Sequence, residues 1–143
     1  VKSTNPNDTL TLNIELPRIP NIELVAIEAL TRLARHLQIA EDKIGEASLL
    51  VTEAIINALE HAGAESAHVQ VEYTATKEKL IILVRDYGKG FDPSSVEDPD
   101  INAKFGSARK RGWGLKLMKS LSDDFHLESN ENGTKITLTK KLA

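Results

Sequence analysis

The stretch "EAIINALEH", residues 53–61, is apolar around most of a helical circumference, yet Glu53, Asn57 and His61 recur at every fourth position. At 100° per residue each step of four drifts by only about 40°, so the three side chains form one line. Glu46 lies close to the same line. Ile44, Ala47, Leu50, Val51, Ala54, Ile55, Ile56, Ala58 and Leu59 cover most of the remaining surface. Such a helix is buried on nearly all sides. Its polar line either faces solvent, as one side of most helices does, or faces an occupied cleft. The narrowness of the line favours the cleft. So does its composition, Asn and His rather than the Lys and Glu that suit an exposed helix.

Working outward, this helix starts near Glu41 or Asp42 and ends near Ala62 and Gly63. Before it, "TLTLNIEL" alternates, with Leu10, Leu12, Ile14 and Leu16 on one face, as a half-buried strand does. Pro17 and Pro20 stop that strand. Asn21 is the expected cap of a first helix running to about Leu37, with Val25, Leu30, Leu33 and Leu37 on its apolar stripe. "AHVQVEY" and "LIILVRD" read as a hairpin turning at Thr76 to Lys79. Residues 92–111 show no hydrophobic period, and loops that long in a compact domain are usually functional or mobile. A short helix is expected from Gly114 to Leu121. "FHLES" and "KITLTKK" then close the chain as a hairpin around Asn132 and Gly133. The order strand, helix, helix, strand, strand, loop, helix, strand, strand predicts an α+β fold. It is a two-layer sandwich, a mainly antiparallel mixed sheet covered on one face by helices.

The chain has 143 residues, enough for one domain with a sizeable core, and 41% of them are hydrophobic. Lys and Arg number 18 against 21 Asp and Glu, a balance that argues against a general nucleic-acid binder. There is no cysteine, so disulfides and thiolate metal sites are excluded, and a reducing cytoplasm is the expected setting. His36, His61, His68 and His126 are scattered and show no metal-ligand spacing. No apolar run approaches the roughly 20 residues of a membrane span. The chain begins with Val rather than Met, as a trimmed chain or excised domain would.

Two glycine pairs carry the chemistry. Asp86, Gly88 and Gly90 form D-x-G-x-G directly after the strand "LIILV". Alternate glycines let backbone approach a ligand without Cβ obstruction, and a strand-end Asp can accept from an amino group such as that of adenine. Alone the motif is weak, since Asp-x-Gly turns after strands are common. Gly112 and Gly114 are expected to open the last helix, where free amides and the helix dipole favour phosphate. Lys104, Arg109, Lys110 and Arg111 precede them. For any one of these cations a solvated surface charge is the plainer reading. There is no P-loop or Rossmann pattern, and no protein-kinase H-R-D loop.

Glu53-x-x-x-Asn57, Asp86-x-Gly88-x-Gly90-Phe91, Gly112-x-Gly114-Leu115 and Gly133-Thr134, in this order, resemble the Bergerat-fold (GHKL) ATP-binding family over essentially the whole chain. The length and the "TEAIINALEHA" helix resemble its anti-sigma-factor serine kinases. The resemblance implies that ATP and Mg²⁺ are bound, with Asn57 giving an oxygen to the metal and Glu53 acting as general base. It implies that Asp86 accepts from adenine with support from Thr134, and that Gly88 and Gly90 pack the loop on the nucleotide. Residues 92–111 become an ATP lid, and Gly112, Gly114 and Leu115, with a cation among Arg109, Lys110 and Arg111, serve the phosphates. The implied activity is that of a serine/threonine kinase phosphorylating an anti-anti-sigma-type protein and binding a sigma factor, with neither nucleic acid nor membrane as partner. A homodimer through the first strand and first helix is an expectation. Two alternatives stand beside it, the ATP module of a sensor histidine kinase and a nucleotide-gated binding module without catalysis. No dimerisation helix pair with a phosphoacceptor His is present for the first, and Glu53 would be superfluous in the second. Trp113 between the glycines departs from expectation, and His61 receives no role.

Overall fold

The computed structural model describes residues 9–61, 68–88 and 107–142; the side chains of His61 and of residues 107–113 fall outside that description. The chain runs β1 (Leu10–Pro17), α1 (Glu23–His36), α2 (Glu41–His61), β2 (His68–Ala75), β3 (Lys79–Asp86), α3 (Ser107–Leu121), β4 (Asp124–Asn130) and β5 (Gly133–Lys141). The strands form one sheet in the order β1-β2-β3-β5-β4, and every pairing among the described residues is antiparallel. The α+β layering expected from the sequence is therefore present.

Period-two alternation sends one face of the sheet inward. Val71, Val84, Ile136 and Leu127 lie across four strands in one row, and Tyr73, Ile82, Leu138 and Phe125 form the next. Onto this face packs α2, through Ala47, Leu50, Val51, Ala54, Ile55 and Ala58, all buried. α1 and α3 flank it. The small residues Ala26 and Ala34 let α1 approach closely, and the buried Tyr73 hydroxyl donates to the Ala26 carbonyl at 2.8 Å. Lys140, only 6% exposed on β5, donates to the Leu121 carbonyl at the end of α3 and pairs with Glu46 on α2. Glu46, placed by its spacing near the polar line, thus has a partner in the scaffold.

Local details differ from the sequence expectations. Asn21 does not cap α1 with its side chain; it adopts φ 64°, and its carbonyl accepts from Leu24 N–H. Asn tolerates this left-handed conformation better than most residues. Val25 is 50% exposed, and the buried stripe of α1 is Ala26, Leu30, Leu33 and Ala34. α1 ends with Gln38 at φ 60°, its N–H bonded to the Arg35 carbonyl and that of Ile39 to the Ala34 carbonyl, a Schellman closure. α3 begins at Ser107 rather than Gly114. Ala108 and the straight-chain cations after it are good helix formers, although they carry no hydrophobic period. Gly112 and Gly114 consequently sit inside the helix and do not open it.

Candidate functional site

Burial removes the solvent-facing reading at the middle of the polar line on α2. Asn57 is only 5% exposed, so it does not face solvent. Its neighbours Ala54, Ile55 and Ala58 are buried apolar residues, and its Oδ1 has no hydrogen-bond partner among the described residues. A buried amide oxygen left without a donor costs about 1–3 kcal/mol. Such groups in a folded protein call for an explanation, and a ligand is one. Glu53, one turn earlier, is half-buried. A Cβ at Gly114 would lie 3.0 Å from Glu53 Oε2, so the missing side chain lets α3 pass directly against the carboxylate.

The second cluster lies at the end of the sheet. Asp86 closes β3 and is 1% exposed. Its Oδ1 accepts from Gly88 N–H at 3.0 Å, which turns the chain out of the strand, while its buried Oδ2 has no hydrogen-bond partner among the described residues. Burial raises the carboxyl above its ordinary value, and the amides of Gly88 and Thr134 partly offset that. Thr134, 3% exposed, pairs with Asp86 across β3 and β5, and its hydroxyl lies 2.8 Å from Ser129 Oγ on β4. Gly133 precedes it at φ 132°, packed on the Asp86 and Tyr87 backbone. The Tyr87 ring is exposed, beneath the Arg85 guanidinium at 5.0 Å, and its hydroxyl donates to Gln70 at 3.2 Å.

The structure thus brings Glu53 to Gly114, and Asp86 to Gly88 and Thr134. α2 packs on β2, β3 and β5, and the sheet face beneath it carries Asp86 and Thr134. Leu115 belongs to the hydrophobic core. Gly90 and most of the expected lid, 92–106, lie outside the described residues, as do the side chains of Lys110, Arg111 and Trp113. Gly112 is described only as part of α3. Sequence reasoning passed over Ser129, although it takes the inward position that Phe125 and Leu127 occupy before it on β4. Among the described residues no group of three or more acidic or His side chains could hold a metal by itself. Nor is any described helix long and apolar enough to cross a membrane.

Burial of its carboxyl makes Asp86 a pH-sensitive group. Its folded value is raised, so its ionisation weakens the empty fold as pH rises through the carboxylate range, and the contribution it makes below that range is lost. Asp86→Asn is therefore expected to cost no more than about 1 kcal/mol at neutral pH. The difference between wild type and variant should shift in the variant's favour as pH rises. Urea unfolding across the acid range checks this; a variant losing several kcal/mol at neutral pH would make Asp86 a structural acceptor instead.

The family model of the histidine kinase-like ATPase domain matches residues 19–140 of the chain. Serine-protein kinase RsbW of Listeria monocytogenes is 30% identical over 137 residues, spanning 92% of this chain and 87% of that protein. Serine-protein kinase RsbW of Staphylococcus aureus is 32% identical over 108 residues, 71% and 67% of the two chains. Among solved structures, the RsbU and RsbW domains of Rv1364c from Mycobacterium tuberculosis superpose with a TM-score of 0.69 at 19% identity. That match covers 93% of this chain and 32% of the other, larger one. The catalytic domain of histidine kinase ThkA superposes with a TM-score of 0.51 at 15% identity, covering 92% and 96%. These two structural matches concern the fold.

Proposed function

The chain belongs to the histidine kinase-like ATPase domain family, and on that premise we propose that it is an ATP-dependent serine/threonine protein kinase of a partner-switching system. Its substrate would be an anti-anti-sigma-type protein and its second partner a sigma factor. The observation that carries the reading is Glu53 one turn before Asn57, beside the side-chain-free Gly114. The similarity to RsbW serine-protein kinases supports the same choice. Action in the cytoplasm is carried over from that resemblance.

In this reading Asp86 Oδ2 accepts from the adenine amino group, and Thr134 supports the contact. Gly88 and Gly90 let the loop pack against the nucleotide, residues 92–111 serve as the lid with 107–111 belonging to the start of α3, and Lys110 and Arg111 are the cations for the phosphates. Gly112 and Gly114 keep α3 narrow where the phosphates pass Glu53, and Leu115 anchors it in the core. The orphaned Oδ1 of Asn57 fits Mg²⁺, a hard cation held by one or two protein oxygens together with substrate phosphates. When bound, the ion offsets negative charge on the phosphates. Glu53 takes the proton of the partner's serine hydroxyl as that oxygen attacks the γ-phosphorus. The bond to the β-phosphate oxygen breaks, leaving phosphoserine and ADP. About 6 Å of helical rise between Glu53 and Asn57 suits a base beside a metal ligand.

Self-association through β1 and α1 remains part of the proposal. β1 is an edge strand, and Leu12, Leu24 and Val25 are 36%, 60% and 50% exposed. With Leu24, the residues Leu10, Ile27, Glu28 and Arg32 help to line a groove of about 1080 Å³. The test of the kinase reading is incubation with γ-labelled ATP and a serine-bearing anti-anti-sigma-type protein. Label on that serine is expected. Label on a histidine would favour the sensor-kinase module, and nucleotide binding without transfer the non-catalytic module.

A further inference from the structure

Along the helix-covered face of the sheet, the row at the Asp86 end of β3 breaks the apolar pattern, as Lys140 does at the opposite end. Ser129 on β4 pairs with Thr134 on β5, and Thr134 with Asp86 on β3. The adjacent row, Val71, Val84, Ile136 and Leu127, is wholly apolar. The polar row ends at the carboxylate with the unpaired Oδ2, and its middle member is 3% exposed. Ser129 and Thr134 share a hydrogen bond of 2.8 Å. Ser129 therefore stands one residue behind the proposed adenine contact, where strand alternation would place another apolar side chain.

A hydroxyl has one proton and two lone pairs, so the direction of the Ser129–Thr134 bond decides what Thr134 can offer a ligand. The Watson–Crick edge of adenine presents a donor, the N6 amino group, beside an acceptor, N1. A protein edge complementary to it needs an acceptor beside a donor. Asp86 supplies the acceptor through its Oδ2. Thr134 supplies the donor only if its proton is not spent on Ser129. We propose that Ser129 donates to Thr134 Oγ1, and that this turns the Thr134 proton towards N1 of the base, directly or through one water. Ser129 is thus a positioning residue for adenine selectivity. Guanine, with O6 against Asp86 and N1–H against Thr134, meets like groups at both places. The inference rests on the ATP reading above.

The experiment compares Mg-ATP with Mg-1-deaza-ATP, in which C–H replaces N1, by titration calorimetry on the 143-residue chain. Wild type is expected to prefer ATP. Ser129→Ala should lower ATP affinity about threefold to tenfold, the range of one neutral hydrogen bond, and leave 1-deaza-ATP binding unchanged. Ser129→Thr, which keeps the hydroxyl, should retain the preference. Thr134→Val should lose it, and adding Ser129→Ala to Thr134→Val should cost nothing further. A Ser129→Ala variant that loses affinity for both nucleotides equally, or for neither, overturns the assignment of Ser129 while the ATP reading stands. Wild-type protein that binds neither nucleotide overturns both.

Discussion

Glu53→Gln is expected to lower single-turnover phosphotransfer to the partner serine by roughly 10²–10⁴-fold, the usual worth of a general base, while sparing nucleotide and partner binding. Phosphoryl transfer passes through a loose transition state in which positioning and electrostatics dominate, which is why the effect is not larger. Gln keeps the volume of Glu beside Gly114, where space is limited to 3.0 Å between Oε2 and the place of an added Cβ. Packing is thus preserved and only the proton acceptor is removed. Asn57→Ala provides the contrast. It removes the buried oxygen with no partner, so metal-dependent nucleotide binding should fall together with turnover. Binding retained in one variant and lost in the other separates base from ligand. A Glu53→Gln protein that transfers phosphate at the wild-type rate would show that Glu53 is not the base, and the sequestering module would gain.

Gly133→Ala is expected to destabilise the fold by roughly 2–5 kcal/mol, combining backbone strain with forced overlap. Its φ of 132° is one that side-chain-bearing residues rarely adopt, and an added Cβ would lie 2.1 Å from the Asp86 carbonyl oxygen and 2.9 Å from Tyr87 Cα. Those are backbone atoms and cannot swing away. Relief requires β5 to separate from β3 at the pair Asp86 and Thr134, so ATP affinity should fall with stability. Gly45→Ala is the control. It lies on exposed α2 surface with nothing within 4 Å of an added Cβ, and should stabilise by about 0.4–1 kcal/mol. Urea unfolding of both variants gives the comparison; a Gly133→Ala protein as stable as wild type would mean that the strand ends are free to shift.

The strands were legible because each buries one face and therefore alternates. α2 was legible because it is apolar on nearly all sides, and Asp86 with Gly88 because their turn is local in sequence. What depends on distant contacts was not. Residues 107–113 include good helix formers but show no apolar period, since the buried side of α3 begins only with Leu115 and Met118. Val25 and Ala26 both suit the inner stripe of α1, and only the packed fold tells them apart, with Ala26 buried and Val25 50% exposed. The pairing of Glu46 with Lys140 spans most of the chain, so spacing along α2 placed Glu46 with the polar line. Of the candidate site, residue types and spacing pointed to Glu53, Asn57 and Asp86, and the family resemblance added Thr134. That Asn57 Oδ1 and Asp86 Oδ2 are buried without partners among the described residues is a property of packing alone. Ser129 carried a signal, a polar residue in an inward position of β4, but one such break is common at a strand end.

Equilibrium binding of adenine nucleotide tests the account most directly, because every proposed role depends on it. Titration calorimetry with Mg-ATP and Mg-GTP, on wild type and Asp86→Asn, is the measurement. Wild type should bind ATP in preference to GTP, and Asp86→Asn should lose about 1.5–3 kcal/mol of ATP binding, the value of a hydrogen bond to a charged group, with little change for GTP. Wild-type protein that shows no heat with ATP at millimolar concentration, or an Asp86→Asn variant that binds ATP as wild type does, would contradict it.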